Sequence, residues 1–143
     1  MSLNLDDIPT LVGQMEPAAI DRLLLELAAT EEIEIIRTPR SGLVMMTCRD
    51  AFDCDFHLGE VLVSEAEVCC RGVHGYGMVP GDDPRRALAR AVAEVIIAGD
   101  NQLLRQRLNR LAAEQRHLLE QQQRDAAELV ARTKVRFDLM PGS

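Results

Sequence analysis

Apolar residues recur at intervals of three and four in three parts of the chain, a spacing that predicts amphipathic helices. The first stretch begins at Pro17, in an N-terminal region over 1–31 that we expect to be helical. The second covers 84–98, between Asp83 and Gly99. Aspartate is a good N-cap, proline suits the first helical position and glycine commonly ends a helix, so these residues predict both ends of the second helix.

The third helix is long for a chain of 143 residues. It is predicted over 101–132, where neither glycine nor proline occurs, and at 1.5 Å per residue it would span roughly 45–50 Å. Glutamines at 121–123 interrupt its stripe of leucines. Either the helix breaks at these glutamines and folds back as a hairpin, or its far end packs against another chain. Leu118 and Leu129, late in the stripe, are then candidate partner contacts.

Between the helices, short runs of β-branched and other apolar residues alternate with turn residues. This pattern predicts an antiparallel meander of about four strands over 33–79. A turn is expected at Pro39–Gly42, and Gly59 is expected to mark a bulge or a bend. The predicted strands are Ile33–Arg37, Leu43–Arg49, the extended segment Phe56–Arg71 and Val73–Val79.

The expected fold class is therefore α+β, in a single domain over 1–143. Apolar residues make up 47% of the chain and aromatic residues only 3%, so the core must be aliphatic. A C-terminal tail over 133–143 follows the long helix. From Val135 to Met140 it alternates apolar and polar residues, through Phe137, which favours a strand or clasp added to a partner.

Charge is unevenly distributed along the chain. Residues 1–100 carry 18 acidic and 8 basic side chains, whereas 101–143 carry 5 acidic and 8 basic ones. The net charge of −7 argues against non-specific nucleic-acid binding, which needs Lys and Arg to neutralise phosphates. The first residues lack the pattern of a secretory signal, and no apolar run reaches the roughly 20 residues of a membrane span. We therefore expect a cytoplasmic protein without membrane contact.

Six side chains are candidate metal ligands, but their spacing does not match a zinc site. Zinc ligands usually come in two closely spaced pairs, and only Cys54 and His57 form such a pair. Free cysteines are among the most often buried residues, so structural thiols in a reducing compartment are the expected explanation, with no bound metal or cofactor. The six candidates are Cys48, Cys54, His57, Cys69, Cys70 and His74.

A glycine-rich segment before the helix at 84–98 raises the question of a phosphate site. Gly75, Gly77 and Gly81 precede a helix N-terminus, where N–H groups and the helix dipole attract anions. Their spacing matches no phosphate-binding motif, and the two aspartates directly after Gly81 would repel a phosphate. Turn geometry and capping explain these glycines more simply. No nucleophile, base and orienting group form a recognisable set, so no catalytic residue is expected.

Four segments occur in a particular order along the chain: Gly42–Met46, Phe56–Glu60, Gly72–Pro84 and Thr133–Gly142. In that order they resemble PhnG, the family of G subunits of the bacterial carbon–phosphorus lyase core complex. The likeness extends from about Ile33 onward. The positions that match the family's pattern are Gly42, Leu58, Gly59, Glu60, Gly75, Tyr76, Gly81 and Asp83.

The resemblance implies an accessory, non-catalytic subunit of a cytoplasmic hetero-oligomer with H, I and J subunits, chiefly in contact with I. That complex makes α-D-ribose 1-methylphosphonate 5-triphosphate from ATP and methylphosphonate during phosphonate breakdown. SAM and an iron–sulfur cluster belong to the J subunit, so the resemblance implies no cofactor on this chain. The candidate partner contacts are Arg85, Arg86, Leu118, Leu129, Val135, Phe137 and Met140.

Two other classes of protein stay open on the sequence. A stand-alone homodimeric scaffold or regulatory module would use the long helix for self-association. A small metal-binding or redox protein would use the cysteines and would carry stoichiometric zinc when purified. Binding to an I-type subunit distinguishes the accessory subunit from both.

Overall fold

The computed structural model describes residues 4–29 and 32–139 as helices packed on an antiparallel sheet. Helices precede the sheet, and one packed helix and one long helix follow it, so the predicted α+β class is confirmed. A 3₁₀ turn (Leu5–Asp7) comes first, and a π-helical turn (Leu24–Ala28) continues the second helix. The main elements are α1 (Ile8–Val12), α2 (Pro17–Leu23), β1 (Ile33–Arg49), β2 (Asp55–Cys70), β3 (Val73–Pro80), α3 (Pro84–Ala98) and α4 (Gln102–Leu139).

The sheet has three strands in the order β1-β2-β3, both pairs antiparallel, so the prediction of four strands is wrong over the described residues. No turn forms at Pro39–Gly42, because β1 passes through it as one strand of 17 residues. β1 lies at an edge of the sheet, where the missing N–H of a proline is tolerated. The pairing with β2 shifts register between Arg37 and Arg40. An irregular edge strand therefore absorbs the residues that were expected to turn the chain.

The ends of α3 follow the predicted capping chemistry, and the start of α4 is capped as well. The Asp83 carboxylate accepts a hydrogen bond from the N–H of Arg86 at 3.2 Å, and Gly99 is the C-cap of α3. The Asn101 side chain accepts the N–H of Leu104 at 3.2 Å. The short connection between these caps reverses the chain, so that α4 runs back from the C-terminal end of α3.

α4 is one helix of 38 residues, which at 1.5 Å per residue is about 57 Å long. It passes through Gln121–Gln123 without a break, so the hairpin interpretation is wrong. It also continues past Arg132 to Leu139, so the expected extended tail is helical as far as the structure describes it. Up to residue 133, where the burial of side chains is described, the buried residues of α4 all lie in its first third: Leu104, Leu108, Leu111 and Ala112.

The core lies between one face of the sheet and the helices, with α3 at its centre. The sheet contributes Ala66, Val68 and Val79 to it, and the buried apolar residues of the described chain are all aliphatic except Met15, as the composition predicted. α3 contributes seven buried residues: Ala87, Ala89, Ala91, Val92, Ala93, Val95 and Ile96.

Two glycines in β3 allow α3 to lie directly on the strand. A Cβ at Gly77 would come within 3.0 Å of backbone atoms of Ala87 and Ala91, and a Cβ at Gly75 would come within 3.0 Å of Ala91 and Val95. Real Cβ atoms do not approach other atoms so closely, so any side chain at either position would push α3 away from the sheet. This contact between helix and strand, rather than a phosphate site, explains the glycines of β3.

Candidate interaction surfaces

A buried serine joins the beginning of α3 to the edge strand. The hydroxyl of Ser64 accepts a hydrogen bond from the N–H of Asp83 and donates one to the carbonyl of Gly81, both at 2.8 Å. It also lies 2.9 Å from the hydroxyl of Ser41 in β1, which in turn donates to the Asp82 carboxylate. Gly81 has φ = +85°, a conformation that favours glycine. The chain's own groups thus occupy this turn, and the predicted turn and cap are confirmed.

Over the body of the sheet, the face away from the helices carries paired polar side chains around Glu65, with Met78 beside them. Glu65 accepts hydrogen bonds from the Tyr76 hydroxyl at 2.7 Å and from the Arg40 guanidinium at 2.9 Å. These bonds lower the pKa of the Glu65 carboxyl, while burial and the Glu65 carboxylate raise the pKa of Tyr76. Arg37 adds contacts to Glu65 and Glu67. A face whose charges are paired in this way is suited to contact with water.

The two arginines in the first turn of α3 have different environments. Arg86 donates to the carbonyl oxygens of Val12 at 2.9 Å and Met15 at 2.6 Å, and it pairs with Asp83 at 2.8 Å. Its side chain is only 14% exposed. We therefore assign Arg86 to holding α1 against α3 and leave it out of the proposed partner contacts. Arg85 is largely exposed and stays a candidate contact.

The candidate metal ligands stay separate side chains. Across residues 4–29 and 32–139, no group of three His, Cys, Asp or Glu side chains could hold a metal ion. The four cysteines are free thiols. Burial, followed by the negative charge of Glu32, raises the pKa of the Cys70 thiol, which lowers the fraction of reactive thiolate.

Beyond the body, β1 and β2 continue as a two-stranded arm, Gly42–Leu62, which we call the ribbon. β3 pairs with β2 only over Val63–Cys70, so the ribbon strands pair only with each other. Every ribbon residue except Val61, which is partly buried, is exposed. The ribbon is therefore a projection from the sheet and adds no side chain to the core.

Both faces of the ribbon carry large apolar side chains. Leu43 pairs with Leu62 and Val44 pairs with Val61, and successive residues of a strand point to opposite faces. One face carries Leu43, Met45 and Leu62 together with Glu60, the partner of Met45, and the other carries Val44, Met46, Phe56 and Val61. Sequence reasoning missed this surface, although the unbroken apolar run from Leu43 to Met46 is the pattern of a strand that is covered on both faces.

Gly59 produces a bulge within the ribbon, as predicted. Met46 pairs with Gly59, but the next residue of β1, Thr47, pairs with His57, so Leu58 is the extra residue. Gly59 has φ = +136°, which residues with a Cβ rarely adopt, although a Cβ there would meet no atom within 4 Å. Backbone conformation, rather than space, therefore requires glycine at this position.

The tip of the ribbon is organised by Asp50. Its carboxylate accepts hydrogen bonds from the N–H groups of Phe52 and Cys54, both at 2.9 Å. Its own N–H donates to the carbonyl of Cys54 at 3.0 Å. The turn presents the Phe52 side chain, which is 87% exposed. A large aromatic ring on an ordered turn is an effective anchor for an apolar pocket.

A second projection is the distal helix, residues 121–139 of α4. At its start Gln122 donates to the Glu16 carboxylate at 3.1 Å, and all residues over 121–133 are exposed. Among them are two large aliphatic side chains, Leu129 and Val130. Over residues 121–133 the distal helix therefore extends beyond the body and exposes apolar side chains to solvent.

Three of the other predicted partner contacts lie along the same helix. Leu118 is exposed and precedes the distal helix. Val135 and Phe137 lie in the last turns of α4, so the strand expected from their alternation is not formed. Met140 lies outside the described residues. Contact of these positions with a partner stays a prediction.

The ribbon and the distal helix leave the body at the same end. The distal helix begins where Gln122 meets Glu16. The neighbouring carbonyl of Met15 is held by Arg86 in the first turn of α3. The N-cap of α3 is in turn bonded to Ser64, two residues after the ribbon. This short series of hydrogen bonds places both projections at the N-terminal end of α3.

A family model described as phosphonate metabolism protein PhnG matches residues 7–142, which include every main element of the fold. No curated protein matches the chain. None of the helices in the described part of the chain combines the length and the apolar character needed to cross a bilayer.

Proposed function

Because the chain belongs to the PhnG family of phosphonate metabolism proteins, we propose that it is an accessory subunit of the carbon–phosphorus lyase core complex. In this role it contributes binding surfaces, chiefly to the I subunit, in a cytoplasmic hetero-oligomer that also contains the H and J subunits. The complex forms α-D-ribose 1-methylphosphonate 5-triphosphate from ATP and methylphosphonate. ATP is bound elsewhere in the complex, and SAM and the iron–sulfur cluster belong to the J subunit.

The observation that carries this proposal is the apolar surface exposed on two projections from one end of the body. Single exposed apolar residues are common, whereas contiguous exposed patches mark interaction sites. The ribbon has such residues on both faces, and the distal helix presents Leu129 and Val130. A chain that contributes binding surfaces to an assembly accounts for both projections at once.

The test is co-expression of this chain with an I-type subunit from the same source, followed by size-exclusion chromatography with light scattering. We expect a stable hetero-complex. We also expect Leu129→Asp to disrupt it, because the new carboxylate would lose its water on entering an apolar interface. The matched control is Leu103→Asp, since Leu103 lies on the body portion of α4 and is 57% exposed, compared with 65% for Leu129.

Each outcome has a definite meaning. A hetero-complex that survives Leu103→Asp but not Leu129→Asp supports both the subunit role and the distal helix as an interface. If Leu129→Asp leaves the complex intact, the distal helix is not part of the interface. A well-folded homodimer that does not bind the I-type subunit overturns the accessory role and supports the homodimeric scaffold.

A further inference from the structure

We propose that the ribbon is inserted into a slot of the partner subunit, which encloses both faces and the tip and presents Lys or Arg side chains to the acidic residues of the ribbon. This inference rests on the proposed function for the identity of the partner. The mode of binding, in contrast, is argued from residues of the ribbon itself.

The first argument is a change of character along one face of the sheet. Over the body, this face carries Glu65, paired with Tyr76 and Arg40. Beyond Val63, the same face carries only aliphatic, sulfur-containing and aromatic side chains, as far as Phe56. An antiparallel sheet in contact with water keeps its solvated face polar. The change therefore marks the point at which solvent is replaced by another protein.

The second argument is that the opposite face of the ribbon also carries large apolar side chains, Leu43, Met45 and Leu62, with Glu60 beside Met45. A flat partner surface would cover the face with Met46 and leave Met45 and Leu43 in water, or the reverse. A slot covers both faces. An isolated two-stranded hairpin is also only marginally stable in water, so enclosure supplies the packing that neither the helices nor β3 provides.

The third argument is the charge of the ribbon, which specifies cationic groups in the slot. The ribbon contains four acidic residues, Asp50, Asp53, Asp55 and Glu60, and one cationic residue, Arg49. Arg49 is already paired with Asp55 at 3.1 Å and with Asp53 at 3.6 Å. Lys or Arg side chains of the slot, near the tip and opposite Glu60, would complement the remaining negative charge. The ribbon of a second copy would bring the same excess and repel it.

The native cysteines provide a test of enclosure without any substitution. Cys48 and Cys54 lie in the ribbon and are exposed, whereas Cys69 and Cys70 lie in the body. In the co-expressed complex with the I-type subunit, we expect maleimide labelling of both ribbon thiols to slow by at least about tenfold relative to the free chain. Labelling is followed by mass spectrometry of the two peptides, and the body thiols report any general change.

Two adjacent methionines test whether both faces are covered. Met45 and Met46 point to opposite faces and have almost equal exposure, 56% and 51%. We expect Met45→Asp and Met46→Asp each to weaken the complex by about tenfold or more, because either carboxylate would be buried in the slot. Leu25→Asp is the control, since Leu25 is exposed on the π-helical turn of the body. If only one of the two methionine variants weakens binding, the ribbon docks on a flat surface and the slot is wrong.

The cationic groups of the slot are tested by Glu60→Lys, since Glu60 is an exposed carboxylate of the ribbon. We expect this variant to bind the I-type subunit about tenfold more weakly, because it places like charges together. Unchanged or tighter binding would overturn the proposed cationic groups.

The failures of the two proposals are distinguishable. A stable complex in which the ribbon thiols are labelled at the rate of the free chain overturns the insertion and leaves the accessory role intact. Absence of any complex overturns the accessory role and, with it, this partner. Slow labelling in the chain alone, with a homodimer by light scattering, shows that a second copy covers the ribbon and overturns the inference.

Discussion

Replacing Gly77 with alanine tests the closest packing contact in the body. The added Cβ would lie within 3.0 Å of the Ala87 carbonyl oxygen and of the Ala91 nitrogen. Both are backbone atoms of α3, so no side-chain rotation relieves the overlap and the helix must move away from β3. Because α3 carries seven buried residues, this movement loosens the centre of the core.

Overpacking of a well-packed core lowers the free energy of unfolding by about 1–3 kcal/mol, and we expect a loss of this size in Gly77→Ala. A domain of this length has an unfolding entropy that converts each kcal/mol into roughly 3 °C, so the melting temperature of Gly77→Ala should fall by roughly 3–10 °C. Thermal unfolding followed by far-ultraviolet circular dichroism measures this shift.

Gly42→Ala is the matched control for this substitution. Gly42 also lies in a strand, but a Cβ there would meet no atom within 4 Å, and its φ is not in the left-handed region. We expect its melting temperature to stay within roughly 2 °C of the wild type, with a gain possible from reduced entropy of the unfolded chain. If Gly77→Ala unfolds at the wild-type temperature, the close packing of α3 on β3 is refuted.

Substitutions at four other positions test contacts and backbone features described above. Arg86→Met should lower the free energy of unfolding in urea by about 2–3 kcal/mol, because its carbonyl partners lose a charged donor; a change below about 0.5 kcal/mol would contradict this. Asn101→Ala should cost about 1 kcal/mol in the same assay, and Asn101→Asp should restore most of it. Gly59→Ala should cost about 1–3 kcal/mol through backbone strain, although no atom obstructs the new methyl group. The lowered pKa of Glu65 means that its contribution to stability is complete at neutral pH and is lost as the pH falls below its ordinary value of 4.5. Glu65→Gln should therefore make the melting temperature less dependent on pH in this acidic range, and an unchanged acid limb would contradict that assignment.

Local signals predicted most of the fold because capping and turn chemistry act over a few residues. Asp83, Gly99 and Gly81 take the roles that their residue types predict. The prediction of a turn at Pro39–Gly42 was wrong. Whether proline breaks a strand depends on where the strand lies in the sheet, and the position of β1 at the edge is a tertiary property. The prediction of an extended tail over 133–143 was wrong for a similar reason. The alternation from Val135 to Met140 covers only six residues, which is too short to distinguish a strand from the continuation of a helix. A helix that is already formed needs only to propagate, without a new nucleation step.

The surfaces were less predictable than the fold. The sequence drew attention to the leucines of α4 and to Arg86, but only the fold shows that Arg86 is bonded to the end of α1. The ribbon was read as ordinary strands, since exposure depends on where β3 stops pairing, between Val63 and Cys70. An apolar run of four residues has the same appearance in a buried strand as in a projecting one.

Contacts between two serines at the base of the ribbon couple the ribbon to the body of the protein. Ser41 directly precedes the ribbon, and its hydroxyl lies against Ser64, which holds the N-cap of α3. A movement of the ribbon is therefore transmitted through these contacts to α3, the helix at the centre of the core. A partner that binds the ribbon in this geometry also stabilises the fold, because binding to the native state alone shifts the folding equilibrium towards that state by mass action. The chain measured alone will then be less stable than the same chain in its assembly.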